Sequence, residues 1–279
     1  MADAKQTKGL RFARAFALAG DPFDTVEWAR RSVKITDVDG RTIYEHAGVE
    51  VPVAWGQLAV DVAAKTYLRK RHAKGAEDSV RDMIRRVVDA ITAAGVRGGY
   101  FASDADAAAF RDDLAWLLLH QRGAFNSPVF FNCGLAEEYG ERGTPTGHWA
   151  WRSGVNPGVG EAVLVDDAYS RPAVSACFIN PIEDDLGDIV KHVAREVMIF
   201  KHGGGAGANY SRLRGHSEPL SGGGTSSGLV SFLDLFDSAA GSIKSGGTTR
   251  RAARLVVVDV DHPDLFEFIE WKAREEDKA

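Results

Sequence analysis

The chain is poor in sulfur, in long apolar runs and in net positive charge, and each shortage excludes a class of protein. Its two cysteines, Cys133 and Cys177, are too few for a disulfide framework and too far apart for a paired-cysteine zinc site. Each is either a buried thiol or a redox one, and spacing does not choose. No apolar run approaches the about 18 residues that a membrane span needs. Met1 to Gly20 mixes Lys and Arg into short apolar stretches where a signal peptide would carry a continuous core. A cytoplasmic protein with no membrane partner is expected. The net charge of -5 argues against a sequence-independent nucleic-acid binder, so no nucleic-acid partner is expected and any nucleotide ligand is small. The 8 histidines show neither HExxH nor any other metal-ligand spacing, and no GxxxxGK[ST] phosphate loop occurs; no metal site is assigned.

Glycine, by contrast, is abundant, and many of the 30 crowd between Lys201 and Arg254 beside two basic clusters, Arg212/Arg214 and Arg250/Arg251. Each glycine inside regular structure costs about 0.5 to 1 kcal/mol relative to alanine, so such crowding needs a reason. A backbone that must approach a bulky anion, with arginines to pair its phosphates, supplies one. A flexible linker is the alternative.

At 279 residues and 44% apolar content the chain can form one large or two modest domains. Val33 to Thr36 and Thr42 to Glu45 flank Asp37-Val-Asp-Gly40 and predict a small hairpin. Val80, Met83, Ile84, Val87, Val88 and Ile91 recur at helical spacing after Ser79, with Gly95 at the expected cap. Ser103 and Asp106 open a second helix carrying Phe110, Leu114, Leu117 and Leu118, which Gly123 stops. Residues 1–122 therefore predict a mainly helical domain.

From Gly123 the texture changes. Pro128 to Phe131, Val174 to Ile179 and Leu255 to Val260 read as buried strands, with helical patterns at Leu186 to Phe200 and Leu229 to Ile243. Strands alternating with helices make residues 123–279 an α/β sheet or barrel. Ala136 to Arg171 reads as a long loop of unassigned role. Asp261 and Pro263 start a last helix that meets no cap before Ala279, as in a chain cut from something longer.

Gly203 to Ala208 satisfies GxGxxA formally, but a helix enters it where a dinucleotide site needs a strand, and Asn209 to Arg214 reads as a strand running to a loop. Hydroxyls of Ser221 to Ser227 are placed to cap the following helix or to hold a phosphate at its N-terminus. Ser245, Gly246, Gly247, Thr248, Thr249, Arg250 and Arg251 form an anion clamp before a strand. Cys177 sits inside an apolar strand, where most cysteines are inert.

Five ordered motifs, Phe125–Gly134, Ser175–Asn180, Phe200–Asn209, Ser221–Thr225 and Lys244–Ala252, closely resemble the adenosylcobalamin-dependent class II ribonucleotide reductases. The similarity begins near Asp21-Pro-Phe-Asp-Thr-Val-Glu-Trp28 and runs to the end. It implies a helical N-terminal domain followed by the first strands of a ten-stranded α/β barrel, incomplete here. It also implies radical reduction of a ribonucleoside diphosphate, begun by cobalt–carbon homolysis in adenosylcobalamin. Di-iron relatives share the barrel and several of these positions.

By motif position the resemblance makes Cys177 the first of two electron-donating cysteines, re-reduced by a thioredoxin-like partner through thiol exchange. It places Ser127 and the Gly204-Gly205 backbone N–H groups beside the substrate. Asp184 and Arg214 become ligands of a deoxyribonucleoside triphosphate effector, the aspartate on a ribose hydroxyl and the arginine on the phosphates. The segment Ser245 to Arg251 becomes the specificity loop between effector and substrate. Helices at 186–200 and 229–243 become a homodimer interface. No role falls to Cys133. The family's radical cysteine, its second redox cysteine and neighbouring Asn and Glu belong to a downstream motif absent here, so a fragment inactive without its downstream half is expected. A catalytically silent nucleotide-binding and dimerisation module is the competing reading.

Overall fold

Alternating side chains from Trp28 onward build an antiparallel ribbon, β1 (Trp28–Thr36) and β2 (Thr42–Pro52), paired from Trp28 opposite Pro52 to Thr36 opposite Thr42 with register shifts between Arg31 and Val33 and between Ile35 and Thr36. Asp37 closes the turn, its carboxylate accepting the N–H groups of Asp39 and Arg41 at 3.0 and 2.8 Å. The ribbon is longer than the sequence predicts, because the β2 residues after Glu45 bury Val49 and Val51 against the helices. In the computed structural model, residues 9–18, 20–143, 148–153, 159–201, 203–245 and 250–278 are described. Two compact units emerge, Met1–Val174 and Ser175–Ala279, and the change of texture at Gly123 falls inside the first.

In the first unit α1 (Gln57–Val62) leads by a π-type turn to α2 (Val80–Arg97) and α3 (Asp104–Leu119). Ser79 and Ser103 cap α2 and α3, each side chain accepting a first-turn N–H; the sequence predicts this for Ser103. Gly95 does not end α2, which runs to Arg97 with Gly98 as cap; a β-carbon at Gly95 would lie 2.5 Å from the Phe101 ring, so this glycine serves packing. Val33, Val51, Met83, Ile84, Val87 and Leu118 share one core.

Two expectations fail in this unit. Pro128 to Phe131 is not a buried strand but lies in α4 (Ser127–Asn132). Proline at the second helical position loses no hydrogen bond, and four apolar residues are too few to reveal a period. The presumed loop at 136–171 contains most of α5 (Leu135–Tyr139) and the hairpin of β3 (His148–Ser153) and β4 (Gly160–Val165). Trp149 and Trp151 are exposed along this two-stranded ribbon, so no core side announced it.

The second unit alternates β5 (Cys177–Ile179), α6 (Leu186–Lys201), β6 (Gly205–Asn209), α7 (Leu229–Ser242), the short antiparallel pair β7 (Lys244–Ser245) and β8 (Arg250–Arg251), β9 (Arg254–Val257) and α8 (Leu265–Lys278). β5, β6 and β9 form a parallel sheet in that order, so this is a mixed α/β unit. The strand foreseen at Asn209 to Arg214 is not there: β6 runs over Gly205–Asn209 and ends where that reading began, because alanine alternating with glycine fits a central strand that apolarity scales overlook. Ala208, Tyr210, Leu213, Leu229, Leu233 and Phe236 make the core, each large aliphatic or aromatic side chain contributing about 1.5 to 3 kcal/mol on burial. The strands expected to be buried are open to solvent, most of all on the side that carries Ile179 and Leu255. Cys177, Phe178 and Ile179 are all exposed, as are Leu255 and Val257.

Candidate functional site

In the first unit Ser127 opens α4, and its Oγ lies 3.0 Å from the Tyr67 hydroxyl. The Tyr67 ring packs on Phe130 and Phe131, with centroids 5.3 and 5.4 Å away, so helix and hydroxyl are fixed together. Beneath α4 lies a buried ion pair, Arg86 Nε to Glu77 Oε1 at 2.7 Å, both side chains 1% exposed. Arg86 also donates to the carbonyls of Phe130 (3.0 Å) and Cys133, while Glu77 accepts from the Tyr139 hydroxyl (2.8 Å) and the Arg69 N–H (2.7 Å). Every strong group has a partner, so the pair ties α2, α4 and α5 into one body. Gly134 completes it: at φ +76° its absent β-carbon would fall 2.5 Å from the Arg86 carbonyl. Burial pushes the Cys133 thiol up to about 11, which keeps it protonated and unreactive at neutral pH.

In the second unit Cys177 stands opposite Gly205, Ile179 opposite Gly207, and Gly207 in turn opposite Leu255, in the β5–β6–β9 register. A β-carbon at Gly205 would sit 3.6 Å from Cys177 Sγ and 3.2 Å from the Ala253 carbonyl, so glycine leaves the thiol open on that side. The sequence placed Cys177 in a buried strand; it is exposed because no layer among the described residues covers the face it shares with Ile179, Leu255 and Val257. Gly204 and Gly205 do lie beside it, but their N–H groups are engaged, donating to Ile199 O (3.0 Å) and Ala176 O (2.5 Å). The donor role expected of them is therefore corrected: what they offer is close approach.

Asp184 and Arg214 are brought together, Arg214 Nε donating to Asp184 Oδ2 at 2.5 Å, with Arg214 Nη1 on the Pro219 carbonyl at 3.2 Å. Each expected ligand group thus occupies the other, with the Arg214 and Asp184 side chains 33% and 28% exposed. Arg212 pairs with Glu183 on the same side.

Capping of α7 differs from the sequence reading. Gly228 is its N-cap without a side-chain bond, and the Leu229 N–H is taken by Asp264 Oδ2 at 2.8 Å from the start of α8. Asp264, 6% exposed, also accepts both contacts of the His216 N–H at 2.8 and 3.0 Å. His262 Nδ1 accepts from the Asp264 N–H (3.0 Å), so the ring proton sits on Nε2 and donates to Leu213 O (2.7 Å). Of the Ser221–Ser227 hydroxyls, Ser226 Oγ accepts the Gly228 N–H at 3.0 Å, one residue before the helix, and none is the cap.

Gly246, Gly247, Thr248 and Thr249 of the arginine-tipped segment lie outside the described residues, and of Ser245, Arg250 and Arg251 the backbone alone is described. Sequence reasoning missed Tyr67, Glu77, Arg86, Glu196, Arg254 and Asp264. Only Arg254, a cation opening an apolar run, left a signal. Among the described residues no group of three His, Cys, Asp or Glu is placed to hold a metal ion, and no helix is long and apolar enough to cross a membrane.

Comparison with known proteins follows the same division. Residues 29–121 match the family described as class II vitamin B12-dependent ribonucleotide reductase, and residues 175–279 match the ribonucleotide reductase barrel domain. The vitamin B12-dependent ribonucleotide reductase of Rhodopirellula baltica is 42% identical over 97% of this chain and 26% of its own length. The vitamin B12-dependent ribonucleoside-diphosphate reductase of Mycobacterium tuberculosis is 45% identical over 39% of this chain and 16% of its own. The Actinobacillus ureae class Id ribonucleotide reductase alpha subunit is similar at a TM-score of 0.47 and 18% identity, over 77% of this chain and 30% of that one. The chain belongs to the class II vitamin B12-dependent ribonucleotide reductase family and spans about a quarter of the length of the curated relatives it matches along most of its own.

Proposed function

We propose that the chain is the N-terminal part of a ribonucleotide reductase that converts ribonucleoside diphosphates to deoxyribonucleotides, with adenosylcobalamin as cofactor. The observation that carries this reading is Cys177 beside Gly205 on an exposed sheet face: a reachable thiol next to a position without a side chain. The name of the Mycobacterium tuberculosis relative supports the diphosphate. β5, β6 and β9 are then early strands of a ten-stranded barrel whose interior is the face carrying Ile179, Leu255 and Val257. That face offers small and aliphatic groups, so no residue here is assigned to hold the corrin.

Cys177 and a second thiol from outside this chain each give up one hydrogen and join as a disulfide. The ribose 2′ hydroxyl leaves as water and a hydrogen takes its place, so two thiols and one ribonucleotide yield one disulfide, one deoxyribonucleotide and one water. A thioredoxin-like dithiol then exchanges with the disulfide. Cys133, buried and kept protonated, does not substitute for the missing thiol, so the chain alone does not turn over. Ser127 binds substrate from α4, and Gly204 and Gly205 allow its close approach. A deoxyribonucleoside triphosphate effector displaces the Asp184–Arg214 pairing, its ribose hydroxyl on the aspartate and its phosphates on the arginine. The Ser245–Arg251 segment connects effector to substrate, and α6 and α7, with Leu186, Val190, Met198 and Leu235 exposed, form a homodimer interface.

The test uses the complete protein with adenosylcobalamin, a dithiol and a ribonucleoside diphosphate. Deoxyribonucleotide formation that Cys177→Ser reduces to at most a single turnover, with nucleotide affinity kept, supports the reading. Full multiple turnover by that variant overturns the assignment of Cys177; nucleotide binding without turnover by the unaltered protein favours the silent module.

A further inference from the structure

We infer that Arg254 is a positioning residue through which α6 and α7 set the effector-dependent choice of substrate, an inference that rests on the functional reading above. Arg254 opens β9 and stands opposite Ala206 in the parallel register, on the sheet side away from Leu255 and Cys177. Its side chain is 5% exposed, and its guanidinium lies between carboxylates from two helices: Glu196 Oε2 of α6 at 3.9 Å and Asp237 Oδ1 of α7 at 3.6 Å. Both distances exceed a hydrogen bond. Among the described residues its one hydrogen bond is Nη2 to Leu233 O at 3.4 Å, and the buried Nε and Nη1 have no hydrogen-bond partner. The Phe236 ring lies 5.6 Å from its Cζ and fills the space below.

A buried cation drawn to two anions and closed on neither has two near-equivalent arrangements, one favouring each helix. The two anions differ. Glu196 is fixed, accepting from the Tyr210 hydroxyl at 3.2 Å with His192 Nε2 at 3.4 Å, and is 2% exposed. Asp237 is more than half exposed and free to swing. A small slide of α7 against α6 therefore shifts Arg254 from one carboxylate toward the other.

The chain connectivity gives that shift a destination. α7 runs directly into β7, and β8 ends three residues before Arg254. The contacts of Arg254 with Leu233 and Asp237 therefore tie the strand that follows the arginine-bearing segment to the helix that precedes it. The next register position of the sheet carries Gly205 opposite Cys177. Arg254 thus joins the helix pair assigned to the effector and dimer interface to the strand pair assigned to substrate.

The experiment measures, in the complete enzyme, competition between two ribonucleotides with each of two deoxyribonucleoside triphosphate effectors and with none. Asp237→Asn, a change at an exposed side chain, is expected to shrink the effector-induced swing in preference by about fivefold or more while the effector-free rate is unchanged. Arg254→Met is expected to do the same, and Arg254→Lys to recover part of the swing. A change that only loosened the fold would lower all rates together and leave the preference ratios alone. A swing that survives Asp237→Asn and Arg254→Met overturns the inference while the functional reading stands. An unaltered enzyme with no effector-dependent preference overturns that reading and the inference with it.

Discussion

Each unit buries an arginine against glutamate, and the two are built to different ends. In the first, Arg86 meets Glu77 at 2.7 Å and spends its remaining donors on two carbonyls of the α4 region. In the second, Arg254 stands 3.9 and 3.6 Å from two carboxylates, and among the described residues two of its nitrogens make no hydrogen bond. A saturated buried charge pair locks the elements it touches, whereas an unsaturated one leaves the choice between arrangements open. The first unit holds a short helix in place; the second ties two helices to a strand without committing to either.

The contrast is open to attack by denaturant unfolding. The largest loss is expected for Arg86→Met, which strands the Glu77 carboxylate in the core and should lower stability by about 3 to 5 kcal/mol. A loss under about 1 kcal/mol would mean that the pair is not what holds α4. Next comes Asp264→Ala, expected to cost about 2 to 3 kcal/mol, because this carboxylate is buried and saturated like Glu77 although it lies in the other unit. Saturation, then, and not location, would be the variable that matters. Arg254→Met should cost less, about 1 to 2 kcal/mol, since little bonding is lost and a desolvated cation is removed. If it matches Arg86→Met, the distinction between the two arginines fails.

The smallest effect concerns the cysteines. Cys133 has its folded pKa raised from 9.0 to about 11, so the unfolded chain releases this proton first as pH rises. Its contribution to stability is complete below about 9 and declines toward about 11. Cys133→Ala should flatten that alkaline decline. Alkylation at neutral pH should modify Cys177 and spare Cys133, followed by peptide mass spectrometry.

How much of this could be read from the residues depends on the type of interaction. Helices α2, α3, α6 and α7 carry long 3.6-residue patterns or serine caps, and each was placed within a few residues. The parallel strands were partly legible, but a three-residue β5 and an alanine-glycine β6 give apolarity little to register. α4 was misread because its six residues show no period, and the Trp149/Trp151 hairpin because its side chains face no core. Cys177 was found by motif and misjudged in burial, since burial depends on which side of a sheet is covered. Polar partners far apart in sequence escaped entirely: Asp264 caps a helix that starts 35 residues earlier, and Arg86 holds a carbonyl 47 residues on.

Strand β6 bears a consequence for heredity. Any single-base change in a glycine codon that alters the residue installs a β-carbon, and at Gly207 that atom would stand 3.0 Å from Ile179 and 3.3 Å from Leu255. At Gly205 it would press on the Ala253 carbonyl at 3.2 Å. Drift at these codons therefore presses first on the Ile179 and Leu255 side chains and on one strand carbonyl, and the gene's freedom to wander here is set by how far those neighbours yield.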